Sequence, residues 1–145
     1  PDRGRDPGLR RAGPAGVVVI DTSAVLAILF DEPGRRPFNE RIEADPERLM
    51  SVANYLEAGI IVDDRLGDEG ARALGLLIAE AGVEIVPVTL AQAEIARQAY
   101  RRFGKGNHPA RLNYGDCFAY ALARETGEPL LFKGDDFGQT DIARA

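Results

Sequence analysis

The feature of this sequence that most constrains its fold is an unbroken apolar run, VVVI, at residues 17–20, with Asp21 directly after it. β-branched residues favour strands, and a run without polar alternation is typical of a strand that a parallel sheet buries on both faces. In open α/β sheets, ligands bind beyond the carboxyl ends of the strands. The run therefore predicts a buried strand that brings Asp21 to a ligand-binding edge.

Further strands are predicted to alternate with helices along the chain. Strand-like runs occur at residues 48–50, 83–88 and 130–132. Apolar periodicity and breakers indicate helices at residues 24–30, 35–44, 52–62, 67–81, 90–103 and 114–126. Ser23, Ser51 and Thr89 are the predicted N-caps. This alternation predicts the α/β class, a single domain with a mainly parallel central sheet flanked by helices.

The first sixteen residues, PDRGRDPGLRRAGPAG, combine three Pro, four Gly and four Arg with a single Leu. Such a composition offers too little apolar surface to order itself. We therefore predict a flexible leader or a vector-derived extension at residues 1–16, and one folded domain at residues 17–145.

Composition points to a soluble protein of a reducing compartment. The chain has 145 residues, of which 45% are hydrophobic, enough for one core. No apolar run reaches membrane-spanning length. The only cysteine, Cys117, excludes an internal disulfide. We expect a cytoplasmic protein with no membrane association.

The net charge of −5 is unevenly distributed. No acidic residue occurs between Glu94 and Asp116, and the cationic side chains of this stretch are Arg97, Arg101, Arg102, Lys105 and Arg111, with His108 among them. A basic segment on an acidic protein is compatible with a polyanionic substrate, although its default interpretation is a solvated helix face and loop.

Four carboxylates are candidates for a metal site: Asp21 and Asp135 after strands, Glu57 within a helix and Asp116 in the first turn of one. Clustered carboxylates repel one another and need cations at neutral pH, and oxygen ligands select Mg²⁺ or Mn²⁺. With one His and one Cys, the chain cannot build a usual zinc site. Taken singly, each acid also has an ordinary role as a cap, a turn residue or a solvated helix residue.

Four segments, in order along the chain, resemble the motifs of PIN-domain nucleases. Residues 18–24, VVIDTSA, resemble the first motif, and residues 51–57, SVANYLE, resemble the second. Residues 112–123, LNYGDCFAYALA, and 130–137, LLFKGDDF, resemble the third and fourth. The compact length and the last two motifs are similar to those of VapC toxins in particular.

The resemblance implies a metal-dependent endoribonuclease in which Asp21, Glu57, Asp116 and Asp135 are the catalytic residues and the ligands of Mg²⁺ or Mn²⁺. Two adjacent acids compete for the fourth position; we favour Asp135 and hold Asp136 as its substitute. Hydrolysis of an RNA phosphodiester would leave a 5′-phosphate and a 3′-hydroxyl. Where the family often has Thr at the end of the last strand, this chain has Phe132 and Lys133, and Lys133 would contact a phosphate or balance the acids.

The resemblance also implies partners. The expected ones are a cognate antitoxin of the VapB type, an RNA substrate such as tRNA or ribosomal RNA, and a second copy of the chain in a homodimer or a toxin–antitoxin hetero-oligomer. The basic segment would supply phosphate contacts and Tyr114 a stacking surface. Apolar residues of the first two helices would line an antitoxin groove or belong to the core: Leu26, Leu29, Phe30, Phe38 and Ile42.

Three other functions are compatible with parts of this sequence. A receiver-like signalling domain also uses strand-end acids and a Lys after its last strand, but it requires an acidic pair where this chain has Asp21 followed by Thr22. An Asp-nucleophile phosphatase requires an Asp where this chain has Ser23. A catalytically inactive PIN-like binding module is disfavoured because all four acidic positions are filled.

Overall fold

The computed structural model describes residues 16–145, and its centre is a four-stranded sheet. The strands are β1 (Val17–Ile20), β2 (Glu47–Ser51), β3 (Val83–Val86) and β4 (Leu130–Leu131). All pairings are parallel, and the strand order is β3-β2-β1-β4. The predicted α/β class and parallel sheet are confirmed, and the predicted leader falls, apart from its last residue, outside the described residues.

Five helices connect and cover the strands. They are α1 (Thr22–Leu29), α2 (Arg35–Ala44), α3 (Val52–Glu80), α4 (Leu90–Phe103) and α5 (Tyr114–Thr126). A short 3₁₀ turn at Phe137–Gln139 follows the last strand and was not predicted. None of the helices within residues 16–145 is both long and apolar enough to cross a membrane.

The predicted start of the first helix was wrong. α1 begins two residues early because Asp21 is its N-cap, and Ser23, the predicted cap, lies inside the first turn. The two helices predicted on either side of residues 63–66 are confirmed, since non-helical backbone at Gly67 separates two helical segments within α3. Gly67 has φ 60° and ψ −147°, a conformation that only glycine adopts readily. The predicted caps Ser51 and Thr89 are confirmed.

The core lies on both faces of the sheet, which explains the unbroken apolar run. Val18 and Ile20 pack with α1 and α3 on one face, and Val19 packs with α4 and α5 on the other. Val18 and Val19 are fully buried and Ile20 nearly so. Burying each such side chain stabilises the fold by roughly 1.5–3 kcal/mol. The carboxyl end of β1 is thereby fixed, and with it the position of Asp21.

Candidate active site

Asp21 is the N-cap of α1 and lies at the carboxyl end of β1. Its Oδ2 atom accepts hydrogen bonds from the backbone N–H of Ser23 at 3.0 Å and from the Ser23 hydroxyl at 2.5 Å. Burial raises the pKa of Asp21 to about 6, against the lowering effect of these two bonds, and the charge of Glu57 raises it further. The two hydrogen bonds to Oδ2 therefore orient the carboxylate, and burial makes its ionisation unfavourable.

Asp116 is the third residue of α5 and is part of a capping box. The Asn113 side chain accepts from the backbone N–H of Asp116 at 2.9 Å, and Oδ2 of Asp116 accepts from the backbone N–H of Asn113 at 3.0 Å. Burial is the main cause that raises the pKa of Asp116 to about 7, and the charges of Asp21, Asp136 and Glu57 also raise it. Asp116 is therefore close enough to three other acids for their charges to raise its pKa.

Glu57 reaches this neighbourhood from the first half of α3 by packing on the first turn of α5. A Cβ atom built on Gly115 would lie 2.1 Å from Oε2 and 2.8 Å from Cδ of Glu57. No side chain fits between the two groups, so glycine at position 115 is what admits the carboxylate. The three acids predicted at Asp21, Glu57 and Asp116 therefore come together from three separate segments.

Asn54 connects the same three segments and was not identified as a site residue from the sequence. Its side-chain Nδ2 donates to the backbone carbonyl of Gly115 at 3.0 Å, and the backbone carbonyl of Asn54 accepts from the Thr22 hydroxyl at 3.1 Å. Asn54 is fully buried, and its Oδ1 has no hydrogen-bond partner in the part of the chain that the structure describes. The signal in the sequence was its place in α3, one turn before Glu57.

Asp135 and Asp136 lie in the turn after β4 and are both exposed. Of the two, only Asp136 is among the charges that raise the pKa of Asp116. The turn is held near α1 because the backbone N–H of Lys133 donates to the Ser23 hydroxyl at 2.9 Å. The Lys133 ammonium pairs with Glu32, so its charge lies at the far end of α1.

The charges of Asp21 and Glu57 raise the pKa of Asp116, but the three side chains do not surround one position as metal ligands do. Among residues 16–145, no three Asp, Glu, His or Cys side chains lie close enough together to hold one ion as they stand. The donor atoms offered are carboxylate oxygens, while Cys117 is buried in the core cluster of α4 and α5.

The basic segment divides into two parts. Arg97 and Arg101 lie exposed on α4, whereas Arg102 pairs with Asp141 at 3.4 Å. Lys105 and Arg111 lie in the loop between α4 and α5 and line an open concavity.

Tyr114, the first residue of α5, is 79% exposed and makes an edge-to-face contact with Phe118, with 4.9 Å between the ring centroids. An unburied aromatic ring therefore lies two residues from Asp116.

The apolar residues of the first two helices serve the core in part. Ile42 is buried, and four others are half-buried while packing against the same core cluster: Leu26, Leu29, Phe30 and Phe38. The core role is thus confirmed for Ile42, and the other four keep an exposed fraction that a partner could cover.

Comparison with known proteins gives a consistent result. The profile of the PIN domain matches residues 18–143. Ribonuclease VapC30 of Mycobacterium tuberculosis is 54% identical over 126 residues, covering 87% of this chain and 96% of the relative. Ribonuclease VapC of Mycolicibacterium smegmatis is 53% identical, covering 87% and 98%.

Solved structures share the fold at low sequence identity. VapC20 of Mycobacterium tuberculosis, described as a sarcin-ricin loop cleaving toxin, has a TM-score of 0.71 at 20% identity and covers 88% of this chain and 98% of its own. VapBC2 of Rickettsia felis, bound to a promoter DNA fragment, has a TM-score of 0.72 at 9% identity, covering 90% and 98%. The fold and the relatives agree with the motifs in the sequence.

Proposed function

The chain belongs to the PIN-domain family and is similar to its VapC ribonucleases, and we propose that it is a divalent-metal-dependent endoribonuclease, the toxin of a toxin–antitoxin pair. The observation that carries this proposal is the meeting of Asp21, Glu57 and Asp116, from β1, α3 and α5, at the carboxyl edge of the sheet. Asp21 is buried, and Glu57 and Asp116 are half-buried. Carboxylates that are desolvated and close together lower the stability of a fold, so such a group is typical of a functional site that binds cations.

The residues present fit Mg²⁺ or Mn²⁺. The donors are hard carboxylate oxygens, and the raised pKa values of Asp21 and Asp116 indicate a site that favours added positive charge. Asp21, Glu57 and Asp116 would hold the cation. For the fourth acid we propose Asp136 in place of Asp135, because its charge acts on Asp116. When bound, the cation would supply Lewis-acid activation of water and phosphate.

The residues of the chain have distinct tasks in this mechanism. Ser23 fixes Oδ2 of Asp21, and the capping box fixes Oδ2 of Asp116, so each carboxylate can direct Oδ1 to the site. Asp136 lies at the exposed side, where it can orient an attacking water. Neither a protein nucleophile nor the RNA 2′-hydroxyl is required, so the products would be a 5′-phosphate and a 3′-hydroxyl.

The proposed substrate is structured RNA, with tRNA or ribosomal RNA as the expected class. Tyr114 supports this because an exposed aromatic ring beside the acids can stack on an unpaired base. The ribonuclease names of the relatives and the sarcin-ricin loop activity of VapC20 point in the same direction. We place this activity in the cytoplasm.

The proposed protein partners are a cognate antitoxin and a second copy of the chain. Several structural neighbours are toxin–antitoxin complexes, among them one from Klebsiella pneumoniae with a TM-score of 0.62 at 18% identity. The half-buried residues of α1 and α2, such as Phe30 and Phe38, offer apolar surface that an antitoxin segment could cover.

The decisive experiment is cleavage of a fluorescent RNA by antitoxin-free protein in Mg²⁺, Mn²⁺ or EDTA. We expect cleavage with either metal, none in EDTA, and none by the Asp21→Asn or Asp116→Asn variants. Asp64→Asn, an exposed position on α3, is the matched control and should cleave normally. Cleavage that persists in EDTA or in both site variants would contradict the proposal.

A catalytically inactive binding module is the alternative to separate. It predicts that folded protein binds Mn²⁺ and RNA but cleaves none of a panel that includes tRNA and ribosomal RNA fragments. A receiver-like domain predicts instead a stable acyl phosphate on treatment with a small phosphodonor. The sheet gives little support to that role, because β2 ends in Ser51 and not in an acceptor Asp.

A further inference from the structure

The loop that joins α4 to α5, residues 104–112, forms a cationic concavity and directly precedes the helix that carries Asp116. We propose that this loop is a phosphate-binding subsite, in which Lys105 and Arg111 hold a backbone phosphate of the RNA a few nucleotides from the bond that is cleaved. The inference rests on the proposed ribonuclease function and adds to it a fixed contact for the substrate strand.

The concavity has a volume of about 540 Å³ and is open to solvent. Its lining consists of loop residues: Lys105, Gly106, Asn107, His108, Pro109 and Arg111. An open depression of this size admits a phosphodiester with its ribose while leaving the strand free to continue on both sides. The shape thus suits a polymer backbone better than an enclosed small molecule.

The charges of the concavity are unopposed. No acidic residue occurs between Glu94 and Asp116, and within residues 16–145 neither Lys105 nor Arg111 forms a salt bridge. By contrast, Arg102 pairs with Asp141 and Lys133 with Glu32. The two loop cations are therefore available for an anion.

The loop is held in one conformation although its composition is that of a flexible turn. The backbone N–H of Lys105 donates to the carbonyl of Leu112, and that of Leu112 donates to the carbonyl of Phe103, each at 2.9 Å. The backbone N–H groups of Asn107 and His108 both donate to the carbonyl of Gly104. These bonds close the base of the loop, so little ordering would be needed when a ligand binds.

His108 and Arg111 complete this arrangement. The His108 ring packs edge-on against Phe103, with 5.1 Å between the centroids, and its Nδ1 accepts from the backbone N–H of Ala110 at 3.0 Å. Nε2 of the neutral ring is then a donor on a residue that lines the concavity. Arg111 has φ 53°, the left-handed region that non-glycine residues rarely adopt. Strained backbone of this kind is found disproportionately at binding sites.

The position of the loop relates it to the cleavage site. Leu112 is followed directly by Asn113, the N-cap of α5, and Asp116 is the third residue of that helix. The five residues from Arg111 to Asp116 can span at most about 18 Å. A single RNA strand that reaches both the concavity and the acidic cluster therefore needs only a few nucleotides between them.

The test measures how RNA binding depends on salt, in a protein that cannot cleave. Asp116→Asn serves as the background, because Asn keeps an acceptor for the capping box. Binding of a short single-stranded oligoribonucleotide is followed by fluorescence anisotropy over a range of KCl concentrations. The Lys105→Gln/Arg111→Gln pair is compared with Arg97→Gln/Arg101→Gln, which removes the same charge from the α4 part of the basic segment.

If Lys105 and Arg111 together hold one phosphate, their removal should lower the slope of log affinity against log salt by about 0.7, the value for one phosphate contact to a single strand. Affinity at low salt should fall roughly tenfold, to the same extent for oligonucleotides of different sequence. The α4 pair should change the slope by less than half as much.

Equal effects of the two pairs, or an unchanged slope, would overturn the subsite. Displacement of the RNA by an equal concentration of an oligoglutamate peptide would also overturn it, since the loop would then bind acidic protein. The proposed function has a separate readout, because absence of cleavage by the unmutated protein would contradict the ribonuclease without altering the slopes measured here.

Discussion

The carboxylate of Glu57 and the backbone of Gly115 are in direct contact, and a Cβ atom at position 115 would lie 2.1 Å from Oε2 of Glu57. The contact joins α3 to the first turn of α5, one residue before Asp116. Two acids that are 59 positions apart in sequence are thus brought together by the absence of a side chain.

Replacement of Gly115 by alanine should displace Glu57 from the acidic cluster. We expect Mn²⁺ affinity, measured by calorimetry, to fall roughly 10–100-fold, as it does when groups that orient metal ligands are altered. The fold should be retained, because alanine is favourable in a helix. Gly75→Ala, also a helical position but with no heavy atom within 4 Å of the added methyl, should leave Mn²⁺ affinity unchanged.

A second substitution distinguishes displacement of the Glu57 side chain from a general loss of structure at the site. Glu57→Asp shortens the side chain by one methylene and makes room for the methyl group at position 115. The Gly115→Ala/Glu57→Asp variant should therefore bind Mn²⁺ more tightly than Gly115→Ala alone. If the losses of Mn²⁺ affinity caused by the two single substitutions simply multiply in the double variant, the two positions act independently. The contact then does not position Glu57.

The stability of metal-free protein should increase as pH is lowered from 8 to 5.5. The pKa of Asp21 is raised from 3.8 to about 6 and that of Asp116 from 3.8 to about 7, chiefly by burial. Between about pH 4 and pH 7 the native state therefore binds more protons than the unfolded state, and the free energy of unfolding falls as pH rises. The two shifts together correspond to at most about 3 kcal/mol over this range, and solvent screening of the half-exposed Asp116 lowers the expected difference to roughly 1–2 kcal/mol. In EDTA, the melting temperature at pH 5.5 should therefore exceed that at pH 8 by about 2–8 °C.

The contribution of these two acids can be isolated. The Asp21→Asn/Asp116→Asn variant carries neutral groups at both positions and should lose most of this pH dependence. Saturating Mn²⁺ should suppress it in the unmutated protein, because the cation takes the place of the protons. A variant with the same pH profile as the unmutated protein would show that other groups control stability in this range.

Asp136 and Asp135 should differ in their effect on the site. Because the charge of Asp136 acts on Asp116, Asp136→Asn should lower Mn²⁺ affinity and RNA cleavage about tenfold. Asp135→Asn removes the same charge one residue away and should change neither by more than about twofold, because Asp135 is not among the charges that raise the pKa of Asp116. The reverse ranking in calorimetry would restore Asp135 as the fourth acid.

Removal of the Asn54 side-chain amide should weaken the fold and the site together. Asn54→Ala removes the hydrogen bond that Nδ2 donates to the Gly115 carbonyl at 3.0 Å, and an intramolecular hydrogen bond of this kind contributes about 0.5–1.5 kcal/mol. Chemical denaturation should show that loss in the free energy of unfolding, and Mn²⁺ affinity should fall as well. Asn107→Ala, at an exposed loop position, is the control and should change stability by less than about 0.5 kcal/mol.

Much of the fold was predictable because its determinants are local. The apolar run before Asp21 is buried on both faces because its side chains alternate between the two core clusters, as the lack of polar alternation indicated. The caps Ser51 and Thr89 bond to N–H groups two or three residues away. The acids at Asp21, Glu57 and Asp116 could be named because their motifs are short and ordered.

The features that could not be predicted depend on contacts between segments far apart in the sequence, or on which of two nearby residues caps a helix. Nothing adjacent to Gly115 in the sequence indicates that Glu57 packs on it. Asp21 and Ser23 are both good capping residues, and the hydroxyl of Ser23 also accepts from Lys133 across 110 positions, which only the folded chain decides.

The backbone conformation of Gly67 lets the two segments of α3 pack against each other. The segment before it carries Glu57 and Asn54, and the segment after it packs Leu74 into the core. A Cβ atom at Gly59 would lie 3.9 Å from the Leu74 side chain, so the second segment lies against the first only two residues from Glu57. The second segment is therefore a buttress for the acids, and substitutions that weaken its packing should also loosen the position of Glu57.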